Sequence, residues 1–258
     1  MESTFRGGRV IAHRGSRLLW PENTAVAFGA AAGLGVRLFE TDLHVSADGI
    51  VVCIHDPTLD RTTGGHGLTA ETPYAEMRGV DAGYRHRADG GFPFRERGIE
   101  VPTFSDLVER FPDAGFVVDL KADGTEEPLA RLVADHSLHE RVIVGSFSDR
   151  RLRRFRELTD NRVPTSTGFD ETLRALVRAR APFRSNPFGP ATVAMQVPVS
   201  WYGVPVVTPR LIELVHRFEL MLHVWTVNEP QEMKRLWDLG VDAVITDRPD
   251  LALQSVGK

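Results

Sequence analysis

The sequence predicts an α/β fold, a (β/α)8 TIM barrel with a small insertion after the second strand. About eight short apolar segments alternate with segments of helical periodicity, which is typical of a parallel sheet covered by helices. The length of 258 residues suits a single barrel domain spanning 1–258. No segment matches the glycine-rich fingerprint of open dinucleotide-binding sheets, which favours the closed barrel.

The first strand is predicted over residues 9–15, where a short apolar run ends in the charged pair His13 and Arg14. An Ala-rich helix over 25–32 follows, and the glycines beyond this segment end it. In a parallel barrel the carboxyl end of every strand opens on the same rim. His13 and Arg14 are therefore expected on that rim.

The second strand carries two carboxylates on one face. Glu40 and Asp42 are two residues apart, so a strand places both side chains on the same side of the sheet. Residues 48–49 (Asp-Gly) are a strong hairpin signal, and the apolar run 50–54 is predicted to return antiparallel. Counted outward from the turn, His55 lies beside Asp42 to within one residue of register. Close carboxylates repel each other unless a cation or a proton is present, so this hairpin is a candidate for metal-assisted acid–base chemistry.

Residues 57–100 interrupt the alternation. The segment is rich in Gly, Thr, Arg and Pro and shows no sustained period. A loop of this length is uncommon unless it forms a lid or a wall of a binding site. We interpret it as an insertion that lies over the carboxyl end of the second strand.

Regular alternation resumes after the insertion. The remaining barrel strands are predicted at residues 115–121, 141–147, 163–168, 192–197, 220–228 and 243–247. The helices that separate and follow them are predicted at residues 104–111, 126–136, 149–158, 171–180, 208–218 and 229–239, with a short helix after Pro249. The strand at 163–168 has the weakest pattern.

Polar side chains collect at the predicted carboxyl ends of these strands. Besides His55 of the hairpin, they are His13, Arg14, Glu40, Asp42, Asp119, Lys121, Ser146, Gln196, Trp225, Asn228 and Asp247. The carboxylates of Glu40, Asp42 and Asp119, without a cysteine beside them, suit a hard divalent cation, Mg²⁺ or Ca²⁺. Arg14 and Lys121 add positive charge that suits an anionic phosphoryl group. Two imidazoles can serve as base and acid in a displacement at phosphorus.

Composition argues against several functional classes. The formal net charge of −4 argues against a nucleic-acid binder that neutralises phosphates. The arginine-rich segment 150–156 has apolar residues at three-residue spacing, so we interpret it as a helix with a solvated arginine face. The single cysteine, Cys53, excludes an intrachain disulfide, and no apolar run reaches membrane-spanning length. We expect a cytoplasmic protein without stable membrane insertion.

Seven short motifs make the sequence similar to the glycerophosphodiester phosphodiesterase family over nearly its whole length. The motifs are His13-Arg14-Gly15, Pro21-Glu22-Asn23-Thr24, Glu40-Thr41-Asp42, Asp48-Gly49 before an apolar run ending in His55-Asp56, Val101-Pro102-Thr103-Phe104, Asp119-Leu120-Lys121 and Trp225-Thr226-Val227-Asn228. One of these motifs alone is weak, whereas the full set in order at suitable spacing is a strong signal. The resemblance implies a barrel with an insertion after the second strand. It also implies metal-dependent hydrolysis of small-molecule glycerophosphodiesters to sn-glycerol 3-phosphate and an alcohol.

The resemblance further implies roles for individual residues. His13 and His55 would be the acid–base pair, Glu40, Asp42 and Asp119 would bind the divalent cation, and Arg14, Lys121 and Trp225 would hold the substrate. The family usually has Glu where this chain has Asp119, which is one methylene shorter. We therefore expect a changed metal preference or affinity rather than a different reaction.

Two alternatives stay open. A lysophospholipase D or a phosphoinositide-type phospholipase can be built on the same barrel, and an apolar, aromatic insertion would favour it. The aromatic residues of the insertion, Tyr74, Tyr84, Phe92 and Phe94, are interleaved with charges and do not decide the question. A barrel that only binds or scaffolds a partner would be expected to lack one of the two histidines, and both are present.

Overall fold

Eight parallel strands close into a barrel in the computed structural model, which describes residues 4–180 and 185–256. The barrel strands are β1 (Val10–His13), β2 (Leu38–Val45), β4 (Gly115–Leu120), β5 (Val142–Gly145), β6 (Thr165–Ser166), β7 (Thr192–Pro198), β10 (Met221–Trp225) and β11 (Ala243–Thr246). Closure is complete because β1 pairs in parallel with both β2 and β11. The predicted (β/α)8 barrel is therefore confirmed, and its weakest strand, β6, is also one of its shortest.

Helices follow the barrel strands and cover the outside of the sheet. They are α1 (Ala25–Gly33), α3 (Phe104–Arg110), α4 (Glu126–Asp135), α5 (Asp149–Leu158), α6 (Phe169–Arg178), α7 (Pro209–Arg217), α8 (Pro230–Leu239) and α9 (Pro249–Val256). The short helix α2 (Tyr74–Met77) and a 3₁₀ helix at Thr69–Glu71 lie in the predicted insertion. Helix α6 begins and ends two residues before its predicted bounds. The helix begins at the exposed Phe169, and the Glu171 carboxylate accepts from the backbone N–H of Gly168 just before it.

Two short hairpins are attached to the barrel. The first joins β2 to β3 (Val51–Cys53), and the amide N–H of Ile54 donates to the carbonyl of Asp42. Asp42 therefore faces Ile54, and His55 is one residue further along, within the predicted tolerance of register. The second hairpin, β8 (Ser200–Trp201) with β9 (Val204–Pro205), was not predicted from the sequence.

The segment predicted as an insertion lies between β3 and α3. It contains only the 3₁₀ helix and α2 as regular structure within the described chain. Apolar side chains from this segment and from β3 form a small separate core, with Leu59, Met77, Ile99 and Val52 among its members. This core anchors the insertion beside the carboxyl end of β2.

The barrel is filled by side chains, as expected for eight strands. Inward-facing residues such as Ile11, Val117, Ile143 and Ile245 form an interior cluster. The larger cluster lies between the sheet and the helices. Because the interior is packed, ligands have access only at the rim.

Strand register determines which polar residues meet at the rim. His13 is opposite Glu40 across β1 and β2, and Asp42 is opposite Asp119 across β2 and β4. Residues far apart in the sequence thus become neighbours through parallel pairing. Across residues 4–180 and 185–256, every helix is too short or too polar to traverse a lipid bilayer.

Candidate active site

A cavity of about 560 Å³ opens at the carboxyl end of the barrel. All eight residues predicted to form the site line it, namely His13, Arg14, Glu40, Asp42, His55, Asp119, Lys121 and Trp225. The volume falls within the range of about 300–1,000 Å³ that is usual for small-molecule sites. The structure therefore brings together the acids, the imidazoles and the cations that the sequence places on four different segments.

His13 is held by a carboxylate from the opposite end of the chain. Its Nδ1 lies 2.6 Å from Asp247 Oδ1, and the Asp247 carboxylate also accepts from Asn228 Nδ2 at 3.2 Å. Burial would raise the pKa of Asp247, but the hydrogen bond with His13 and the nearby Arg17 outweigh it and hold that pKa below its ordinary value. An ionised carboxylate only accepts, so Nδ1 of His13 carries the proton of this bond. Its Nε2 is left for proton exchange, 3.8 Å from Glu40.

His55 has an equivalent arrangement with its sequence neighbour. Its Nδ1 lies 2.6 Å from Asp56 Oδ1. Asp56 is also bonded to Arg61, whose guanidinium binds Glu22 at 2.7 and 2.9 Å. The buried His44 ring contacts the backbone carbonyl of His55 at 3.1 Å. Both imidazoles of the site are therefore oriented by a carboxylate at Nδ1, and His44 supports the backbone at one of them.

Asp42 is the most strongly compensated acid of the site. Its Oδ2 lies 3.0 Å from Arg14 Nε and accepts from Asn23 Nδ2, while Lys121 Nζ lies 2.9 Å from Oδ1. Burial alone would raise the pKa of Asp42, but the charges of Lys121 and Arg14 lower it to about 2. Asp42 is therefore a permanent anion at the centre of the site.

The carboxylates of Glu40 and Asp119 have fewer positively charged partners than that of Asp42. Glu40 Oε2 accepts from the backbone N–H of Arg14 at 3.0 Å, and Asp119 Oδ2 accepts from Lys121 Nζ at 2.6 Å. The other oxygen of Asp119 is buried without a hydrogen bond. Burial and the charge of Asp42 hold the pKa of Glu40 well above its ordinary value, and burial raises the pKa of Asp119. Both acids would gain from an additional positive charge nearby.

The donor set fits a divalent cation in its chemistry. The described ion-pair network around the cavity contains six carboxylates but only four Arg and Lys side chains. This excess of two carboxylates over basic side chains, together with the unpartnered oxygen of Asp119, suits a hard dication. Among residues 4–180 and 185–256, no group of three or more His, Cys, Asp or Glu side chains is already arranged to hold a metal ion. The ammonium of Lys121 bridges Asp42 and Asp119 instead.

Aromatic side chains flank the charged part of the cavity. Trp225 ends β10 and packs edge-to-face on Phe147, with ring centroids 5.9 Å apart. The Lys121 ammonium lies 5.7 Å from the centroid of the Phe147 ring. Both rings line the same cavity as the apolar side chains of Leu173, Leu176 and Val206.

Some contributors were not recognised as such from the sequence. Asn23 was named only as part of the motif at residues 21–24, without a role in the site, yet it donates to Asp42 and accepts from the Thr41 hydroxyl. The partnership of Asp247 with His13 was also missed, although closure makes β11 the neighbour of β1. Asp247 was recognised only as a rim residue, and barrel closure was the signal that could have paired it with His13.

Comparison with known proteins gives one consistent result. The profile of the Glycerophosphoryl diester phosphodiesterase family matches residues 13–251. A probable glycerophosphodiester phosphodiesterase 2 from Mycobacterium tuberculosis is 36% identical over 262 residues, which cover 97% of this chain and 92% of that protein. A glycerophosphodiester phosphodiesterase from Caldanaerobacter subterraneus is 30% identical over 259 residues, covering 96% and 98% of the two chains.

More distant similarities agree with the fold. The glycerophosphoryl diester phosphodiesterase domain of another Mycobacterium tuberculosis protein superposes with a TM-score of 0.85 at 19% identity, covering 97% of this chain and 99% of that one. A lysophospholipase D from Rattus norvegicus is 24% identical over 277 residues, covering 93% of this chain and 83% of that protein.

Proposed function

The chain belongs to the glycerophosphoryl diester phosphodiesterase family, and from this premise we propose that it hydrolyses glycerophosphodiesters to sn-glycerol 3-phosphate and an alcohol. One observation carries the proposal. Two carboxylate-oriented histidines, three carboxylates and two cations face a single cavity at the carboxyl end of the barrel. This set supplies what a displacement at phosphorus requires, namely charge stabilisation, a base and an acid.

We propose that Glu40, Asp42 and Asp119 hold a divalent cation, Mg²⁺ or Ca²⁺. When bound, it would act as a Lewis acid on a phosphoryl oxygen and reduce the negative charge that develops there. Arg14 and Lys121 contribute positive charge on the same side of the cavity. Trp225 offers a flat apolar surface for the carbon skeleton of the glycerol.

The two histidines exchange protons with the reacting groups through Nε2. One imidazole removes the proton of the attacking oxygen as its bond to phosphorus forms. The other delivers a proton to the alcohol oxygen as its bond to phosphorus breaks. Because each Nδ1 is held by a carboxylate, the positive charge that forms on the first ring is stabilised in place. Asp247 and Asp56 are thus positioning residues for the two rings.

An assay of product release tests the function. The purified chain is incubated with glycerophosphocholine, glycerophosphoethanolamine or glycerophosphoglycerol, and sn-glycerol 3-phosphate is measured by a coupled enzyme reaction. We expect release of sn-glycerol 3-phosphate and alcohol in equal amounts. Cyclic nucleotides, which lack the glycerol moiety, serve as the comparison. Hydrolysis of the cyclic nucleotides without hydrolysis of any glycerophosphodiester would contradict the proposal.

Asp119→Glu is expected to keep kcat within about tenfold of the parent chain while changing cation affinity. Asp119 lines the cavity, so the added methylene has open space beside it. Asp119→Asn keeps the size but removes the charge, and should lose far more activity and cation affinity. Kinetics with a cation titration distinguishes the two variants. An inactive, unfolded Asp119→Glu protein would place this residue outside the cation site.

The remaining expectations concern the setting of the reaction. The mixed-charge cavity of about 560 Å³ supports a small-molecule substrate. That the chain binds no nucleic acid stays a prediction from its net charge of −4. A cytoplasmic location stays a prediction from the sequence.

A further inference from the structure

Among the described residues, three Arg and Lys side chains line the cavity, and Arg17 differs from the other two. Arg14 and Lys121 are committed to carboxylates of the site, Arg14 through Nε and Nη1 and Lys121 through its ammonium. Their side chains are only 10% and 19% exposed, whereas that of Arg17 is 41% exposed. Arg17 is therefore the cation that is most open to a ligand entering the cavity.

Only one edge of the Arg17 guanidinium is used within the described chain. Its Nε donates to both oxygens of Asp247, at 3.2 Å each. Neither of its terminal nitrogens has a hydrogen-bond partner among residues 4–180 and 185–256. A guanidinium has five N–H groups in one plane, so four donors of Arg17 are left for a ligand. Two parallel N–H bonds to a carboxylate are the arrangement that this planar fork matches best.

The backbone before Arg17 is held in place by an unusual turn. Arg14, Gly15 and Ser16 all have positive φ, at 52°, 72° and 86°. This region is disfavoured for residues with a side chain and persists only where the surrounding structure enforces it. The buried Ser16 hydroxyl donates to the backbone carbonyl of Asp247 at 2.7 Å. The turn therefore fixes the start of the Arg17 side chain next to Asp247.

Arg17 lies on the side of His13 that faces away from the acids proposed to hold the cation. Strand β1 lies between β2 and β11 in the barrel. His13 Nε2 is 3.8 Å from Glu40 of β2, whereas its Nδ1 is 2.6 Å from Asp247, which follows β11. With the phosphate on the Lys121 side of His13, the free edge of Arg17 is offered to a substituent further along the substrate.

Resting on the function proposed above, we propose that Arg17 binds a carboxylate carried by the alcohol of the diester, so that glycerophosphoserine is preferred over glycerophosphoethanolamine. The hydroxyls of glycerol are neutral, whereas a carboxylate forms two charge-assisted hydrogen bonds with a guanidinium. In the reaction, water adds to phosphorus and the phosphorus–oxygen bond to serine breaks. The proton removed from water is balanced by the one given to the serine oxygen, and the products are sn-glycerol 3-phosphate and serine.

Glycerophosphoserine and glycerophosphoethanolamine differ by one carboxylate, so their comparison isolates its contribution. Release of sn-glycerol 3-phosphate is the readout for both substrates. We expect kcat/KM to be about tenfold higher for glycerophosphoserine, which is the size of one hydrogen bond to a charged group. Hydrolysis of both substrates with equal kcat/KM would overturn the inference and leave the proposed function standing. If no glycerophosphodiester is hydrolysed, the proposed function fails and the inference with it.

Two matched arginine variants locate the effect. Arg17→Gln removes the charge and should reduce the kcat/KM ratio of glycerophosphoserine to glycerophosphoethanolamine to about one. Any loss of His13 alignment through Asp247 lowers both rates and cancels in the ratio. Arg248→Gln is the control, since Arg248 also pairs with a nearby carboxylate, Asp250, but does not line the cavity, and it should keep the parental ratio. Equal ratios in the two variants would exclude Arg17 as the carboxylate site.

Arg17→Lys tests the planar fork without removing the cation beside Asp247. An ammonium cannot make the paired N–H bonds of a guanidinium, so the ratio should fall below the parental one although the charge is kept. A parental ratio in Arg17→Lys would exclude paired binding of a carboxylate by Arg17. Circular dichroism verifies that all three variants fold.

Discussion

Replacing His13 or His55 by alanine is expected to lower kcat at least about a hundredfold while the fold is retained. The loss follows because each ring is the group that moves a proton at the cavity, and no other imidazole among the described residues lines it. The measurement is initial-rate kinetics with glycerophosphocholine, together with circular dichroism and thermal unfolding. A variant that folds but turns over at nearly the parental rate would remove that histidine from the mechanism.

Retention of the fold has a structural basis. Without the His13 ring, Asp247 still bonds with Asn228 and Arg17, so its buried charge keeps partners. Without the His55 ring, Asp56 still bonds with Arg61. His66→Ala is the matched control, since Nδ1 of His66 also meets a carboxylate, Asp60, but on the exposed surface. That variant should keep the parental kcat.

The architecture of the barrel could be predicted because it depends on local patterns. Apolar runs that alternate with segments of helical periodicity predicted each barrel strand, even the weak β6. The β8–β9 hairpin was missed because each of its strands has two residues, too few to show a period, and their side chains are exposed. Short elements that bury nothing leave no alternation in the sequence.

The site residues also fall into two groups, those that local sequence patterns bring together and those that only the tertiary structure brings together. Glu40 and Asp42 were grouped by strand parity, and His55 was brought to them by the hairpin turn, both of which are local features. Their proximity to Asp119 depends on the pairing of β2 with β4. The alternation of strands and helices predicts a parallel sheet, but it does not say which residues face each other across two strands. The bond of His13 with Asp247 joins residues 234 positions apart. Only closure of the barrel places those two side chains together.

Removal of divalent cations is expected to abolish hydrolysis, and addition of Mg²⁺ or Ca²⁺ to restore it. The site carries more carboxylates than basic side chains, and one oxygen of Asp119 is buried without a hydrogen bond. Burial also raises the pKa of Glu40 and of Asp119. A phosphodiester is itself an anion, so its approach would be opposed without a further positive charge. Activity is measured after dialysis against EDTA and during cation titration, with chelator-free dialysis as the control. Full activity in the chelator would refute the metal role.

Thermal unfolding gives a second readout that does not depend on turnover. A ligand that binds only the folded state at a hundred times its Kd stabilises that state by about 2.7 kcal/mol, so Tm should rise by several degrees with saturating cation. Glu40→Gln should remove most of this rise, because it deletes one ligand charge while its amide oxygen can still accept from the N–H of Arg14. Glu232→Gln makes the same change on the exposed face of α8 and should keep the full shift. Equal Tm shifts in the two variants would place the cation away from Glu40, even if EDTA abolishes activity.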